Sequence, residues 1–114
     1  MDLISRQDAG TLLNKLIEES TSVTAFLLSP DRMTCRLNGV IHGFSPNGRL
    51  GIVSSKLDSS ASYIQALVNT DCKYSYGDKR EIPDEDLPIA ERYGNTALVV
   101  VFPEGSRLTI FFTL

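Results

Sequence analysis

A chain of 114 residues, 42% hydrophobic and 22% charged, fits one globular domain whose core needs no disulfide staple. A net charge of −3 argues against broad non-specific nucleic-acid binding, and no apolar run approaches the roughly 20 residues that cross a bilayer. The start, Met1-Asp2-Leu3-Ile4-Ser5, lacks the basic and apolar regions of a secretion signal, so a cytoplasmic protein with no membrane partner is expected.

Residues 5–20 read as one amphipathic helix, because Ala9, Leu12, Leu13, Leu16 and Ile17 recur at helical spacing. Ser5 with Asp8 forms an approximate capping box ahead of that stripe. Strands are expected over about 22–28, 32–44, 49–54, 61–76, 97–102 and 107–113. Within 32–44, Met33, Cys35, Leu37, Gly39 and Ile41 alternate with Thr34, Arg36 and Asn38, the signature of a half-buried strand. Beyond Gly39 the alternation blurs, since Val40 and Phe44 are apolar on the opposite parity, and a bend or bulge is expected there.

Three proline-led turns separate strand-like runs: Ser29-Pro30-Asp31-Arg32, Ser45-Pro46-Asn47-Gly48 and Phe102-Pro103-Glu104-Gly105. Proline pre-sets φ at the second turn position, and Asp, Asn and Gly tolerate the geometry that follows, so each turn folds its strands back antiparallel. Ser54–Ser60 reads as a loop. The stretch Ala61–Tyr76 reads as one long bent strand, or two with a kink at Asn69–Asp71, because Ile64, Ala66, Val68, Cys72, Tyr74 and Tyr76 share one parity. Asp84–Gly94 reads as a short helix with acids at its positive end and a glycine cap. The closing runs Leu98–Phe102 and Leu108–Phe112 are too continuous for strands wet on one side. Either the N-terminal helix packs on them, or their outer face meets another subunit.

Chemistry-bearing residues are few. His42 is the single histidine, and an odd separation of seven residues puts it and Cys35 on opposite faces of a regular strand. No spacing suggests a metal site, a cofactor or a catalytic pair. Cys35 and Cys72 read as reduced core thiols. Arg32, Arg49 and Arg107 each accompany a proline turn, and Arg36 follows Arg32. If the turns gather at one end of the fold, these guanidiniums would converge on a phosphate or carboxylate. Tyr63, Tyr74, Tyr76 and Tyr93 form an aromatic set suited to base stacking or to packing.

The stretch Leu37-Asn38-Gly39-Val40-Ile41-His42-Gly43-Phe44-Ser45 resembles the first motif of Sm-like proteins, with Leu37, Gly39, Ile41 and Phe44 at its apolar and glycine positions. That resemblance covers roughly residues 5–55 and implies a strongly bent small β barrel behind an N-terminal helix. Ser45 stands where the motif has an acid, and the family's RNA-binding residues have no counterparts here. A second resemblance is to PilZ domains, which bind cyclic di-GMP: Arg32-Met-Thr-Cys-Arg36 fits their RxxxR segment, and Gly43–Gly48 fits (D/N)xSxxG except at its first position.

The expectation is thus a single mainly β (α+β) domain over 1–114: a small bent antiparallel barrel with an N-terminal helix and one short helix before a C-terminal hairpin. The functional expectation is a non-enzymatic binding or assembly module, homo-oligomeric through the C-terminal strands. Its alternative is recognition of a phosphate, in RNA or a cyclic dinucleotide, by Arg32, Arg36, Arg49 and Arg107.

Overall fold

The computed structural model describes residues 2–31, 34–54, 63–68, 71–78 and 95–113. In chain order these form β1 (Asp2–Ile4), α1 (Arg6–Glu18), β2 (Ser22–Leu28), β3 (Thr34–Phe44), β4 (Arg49–Ser54), β5 (Tyr63–Leu67), β6 (Lys73–Asp78), β7 (Thr96–Val101) and β8 (Arg107–Phe112). The Ser5 hydroxyl starts α1 by accepting the Asp8 N–H at 3.1 Å. The helix stops where Ser20 takes φ 49° and the Thr21 N–H turns back to the Leu16 carbonyl at 3.0 Å. Ala9, Leu13 and Leu16 are buried, and Leu12 and Ile17 are half-buried beside them, so the predicted stripe is the buried face. Leu13 and Leu16 contribute roughly 1.5–3 kcal/mol each by leaving water.

All eight strands join one sheet in the order β1-β6-β7-β8-β2-β3-β4-β5, and every ladder is antiparallel. α1 packs against β3 and β6, which have β7, β8 and β2 between them. In a flat sheet those two strands would lie about 19 Å apart at ~4.8 Å per strand, nearly twice a helix diameter of ~10 Å. The sheet therefore curls around the helix, and the molecule measures 30 × 27 × 26 Å. The concave side holds the core, with Leu37, Ile52, Leu98, Leu108 and Ile110 fully shielded against α1 and its neighbours. The mainly β, antiparallel class expected from the sequence is the observed one. Among the described residues no ladder joins β1 to β5. The short helix expected over Asp84–Gly94 lies outside the described residues, as do Arg32, Met33, Tyr93 and most of the Ser54–Ser60 loop.

The predicted strand 61–76 is two strands, and they are not neighbours: β5 ends the sheet on one side, while β6 is second from the other end. Ile64, Val68, Cys72 and Tyr74 are buried on both sides of the break, so the apolar parity passes through it unchanged. β1, too short to show any periodicity, pairs with β6 from Asp2↔Tyr76 to Ile4↔Tyr74. β7 and β8 are interior strands paired along both edges. Ala97, Val99 and Phe111 face away from the helix side yet are buried, with Phe26 edge-on to Phe111 at 5.8 Å. On the same face the Thr24 hydroxyl donates to the Asn38 Oδ1 at 2.8 Å, so that Asn38, on the polar parity of its strand, is buried with a partner. Cys72 is buried as expected, whereas Cys35 is exposed near the start of β3.

β3 is shared by two ladders, and Gly39 pairs with Val23 on one side and Ser54 on the other. A Cβ added at Gly39 would overlap the Val53 carbonyl oxygen. Replacing Gly39 with alanine forces the β3–β4 backbones apart, and a loss of roughly 2–3 kcal/mol is expected from the urea midpoint. Gly43→Ala, whose Cβ would meet nothing within 4 Å, is expected to leave that midpoint nearly unchanged. Equal losses at both positions would contradict the close approach.

Burial pushes the Tyr74 phenol up to about 12; the Cys72 thiol adds to the shift, and the Arg6 guanidinium opposes it. A raised folded-state value means the unfolded chain ionises first. Tyr74 therefore supports folding below its ordinary value near 10 and loses that contribution as pH rises toward 12. Over that window the parent chain is expected to lose stability against Tyr74→Phe, by at most ~1.4 kcal/mol per pH unit. Parallel stability curves for the two chains would exclude it.

Candidate functional site

Between Ile41↔Ile52 and Gly43↔Gly51 the β3–β4 register slips by one residue, and His42 is the extra one. Such a bulge bends its strand and turns consecutive side chains toward one side. Ile41 is buried, His42 is exposed, and Phe44 returns to the core, which explains the parity of Phe44; Val40 precedes the bulge and is half-buried. Directly across the ladder from one another, Gly43 and Gly51 put no side chain on the outer face. The result is a notch with a floor of backbone, in a cleft of about 300 Å³.

Three polar side chains stand around that floor: His42 on the bulge, Arg49 at the start of β4, and Tyr63 at the start of β5. Tyr63 lies opposite Val53 but leans diagonally, so that its hydroxyl sits 2.5 Å from where a Gly51 Cβ would be. Gly51 is buried beneath the ring, while Tyr63 is itself 47% exposed. No carboxylate lines the cleft among the described residues, although acids outnumber Lys and Arg in the chain 14 to 11. A guanidinium, an imidazole and a phenol around a backbone floor offer hydrogen-bond donors to an anion.

The fourth side of the notch is the turn Ser45–Gly48. Ser45 donates its N–H to the Arg49 carbonyl at 2.9 Å, and Gly48 donates to the Ser45 carbonyl at 2.9 Å. The Ser45 Oγ accepts the Arg49 N–H at 3.1 Å and donates to Asn47 Oδ1. Gly48 takes φ 90°, and a Cβ there would overlap the Val68 carbonyl oxygen. The turn is held from both sides: Val68 N–H donates to the Gly48 carbonyl at 2.7 Å, and Arg6 Nη2 donates from α1 to the Pro46 carbonyl at 3.5 Å. Phe102–Gly105 repeats the two backbone bonds of this turn, with Gly105 at φ 101°. The resemblance between the two sequences around these turns is therefore one of hairpin chemistry.

The predicted arginines do not all meet. The β2–β3 and β7–β8 turns share one end of the sheet, where Pro30 lies 3.8 Å from the Cβ position of Gly105. The β3–β4 turn is at the other end. Arg36 and Arg107 lie on the outer face toward the first end, in the rows Arg36–Phe26–Thr109 and Thr34–Leu28–Arg107. Arg49 is at the far end, about 25 Å along β3 from Arg36 at ~3.3 Å per residue. Arg32 lies outside the described residues. Cys35 and His42 stand at opposite ends of β3, so they form no pair. The glycines of the notch had a readable signal: Gly43 and Gly51 are equidistant from Asn47, so a tight turn there must pair them.

Among the described residues there is no group of three or more His, Cys, Asp or Glu side chains placed to hold a metal ion. No described helix is long and apolar enough to cross a membrane. No family model, curated protein or solved structure matches the chain.

Because only the flexible end of Tyr63 occupies the space over Gly51, alanine at Gly51 is expected to displace the ring at a stability cost below about 1 kcal/mol. Shifted Tyr63 ring resonances with a near-parental urea midpoint are the expected result. Unmoved resonances would contradict this placement of the ring.

Proposed function

We propose that the protein is a non-enzymatic binding module that takes a small phosphate-bearing ligand in the notch between β3, β4 and β5. The observation that carries this reading is the Gly43–Gly51 floor with Arg49, His42 and Tyr63 around it and no carboxylate among the described lining residues. Arg49 supplies the charge and the two-pronged donor geometry that suits phosphate oxygens. The glycine pair lets a ligand approach the backbone, and the bulge and the doubly held turn fix the rim before anything binds. Of the four arginines considered for phosphate recognition, this reading rests on Arg49 alone.

Titration with inorganic phosphate and with a nucleoside monophosphate, followed by backbone and Arg side-chain NMR, tests it. Saturable shifts at Gly43, Gly51 and Arg49 are expected, and Arg49→Ala should weaken binding about tenfold or more, the scale of one charge-assisted bond. Arg107→Ala, at the other end of the sheet, should leave affinity unchanged. Equal affinity of the parent chain and Arg49→Ala, or no saturable shift with either probe, would refute the reading.

A further inference from the structure

Among the described residues β5 ends the sheet, and Tyr63–Leu67 carry no charge, no proline and no bulge against β4, three of the devices that blunt a sheet edge. Tyr63 and Leu67 are 47% and 55% exposed, with the exposed Gln65 between them on the same face. The hydrogen-bond phase shows which backbone groups the edge presents. Val68 N–H donates to the Gly48 carbonyl, so along this register Leu50↔Ala66 and Ile52↔Ile64 are the pairs that exchange bonds. Arg49↔Leu67, Gly51↔Gln65 and Val53↔Tyr63 are the pairs that do not. The N–H and C=O groups of Tyr63, Gln65 and Leu67 therefore point away from β4.

We infer that β5 pairs antiparallel with β5 of a second copy of this chain, with Gln65 facing Gln65 across a two-fold axis. In this register Tyr63 of each copy faces Leu67 of the other, an aromatic–aliphatic cross-strand pair made twice. The pairs Tyr63–Leu67 and Gln65–Gln65 are ones whose backbone groups already point outward, so the ladder forms without a shift. The segment reads the same in both directions as large apolar, Gln, large apolar on its outer face, which is what an isologous interface requires. The chain carries a net charge of −3, yet this edge has no charged side chain to set against its copy. The strand at the other end of the described sheet, β1, spans three residues and includes Asp2, and it offers no such self-match. Leu67 of the second copy would stand against Tyr63, the wall of the notch, so that site lies at the margin of the interface.

Sedimentation of the parent chain up to about 1 mM is expected to show a monomer–dimer equilibrium. Gln65→Lys and Gln65→Glu, each at an exposed position, should each weaken the dimer about fivefold or more by placing like charges face to face. An equimolar mixture of the two variants should recover the dimer. A strict monomer at every concentration overturns the inference. So does a mixture that associates no better than its separate components, or a dimer abolished by Leu3→Lys and indifferent to Gln65→Lys.

Discussion

Between Ile41 and Gly43 the strands of the β3–β4 hairpin fall out of step by one residue, and His42 has no partner across the ladder. That slip lets Ile41 and Phe44, of opposite parity, both serve the core. It adds the local twist that β3 needs to pair with β2 at one end and β4 at the other. Gly39 sits where both ladders meet and allows a backbone approach that a methyl group would block. A straight β3 would open the sheet, withdraw β6 from α1 and leave the Leu13–Leu16 stripe without a concave surface to fill. The turn at Asn47 sets Gly43 opposite Gly51, and the slip beside that pair adds His42 to the rim of the notch.

α1 has a second part in this arrangement. Arg6, on its first turn, reaches the Pro46 carbonyl and also bears on the buried Tyr74 phenol of β6. It thereby connects the β3–β4 turn with a strand near the opposite side of the sheet. Val68 clamps the same turn from the end of β5. The rim that carries Ser45 and Arg49 is thus tied to elements distant in sequence as well as by its own local bonds.

The C-terminal strands show how a hydrophobic pattern can be right while its cause stays open. Leu98–Phe102 and Leu108–Phe112 are apolar on both parities, and a helix or a second subunit would each account for that. In the structure β7 and β8 are interior strands, their outer residues Ala97, Val99 and Phe111 are buried in the single chain, and both edges are occupied. Burial on two faces needs no subunit contact through these strands. Among the described residues the exposed apolar side chains at a sheet end are on β5, where a sequence reading sees only alternation.

Local chemistry was legible in the chain: the capped helix, the proline turns with their left-handed glycines, and most strand limits follow from short-range sterics and spacing. Even the inward parity of Ile64, Val68, Cys72 and Tyr74 could be read directly, because alternation reports which face is buried. What alternation does not report is the strand's neighbour. Only the tertiary structure decided that β5 and β6 go to different places in the sheet, that the three proline turns divide between its two ends, and that Arg49 stands apart from Arg36 and Arg107. Those outcomes depend on how the curled sheet meets the helix, a long-range packing condition that no short window of sequence contains.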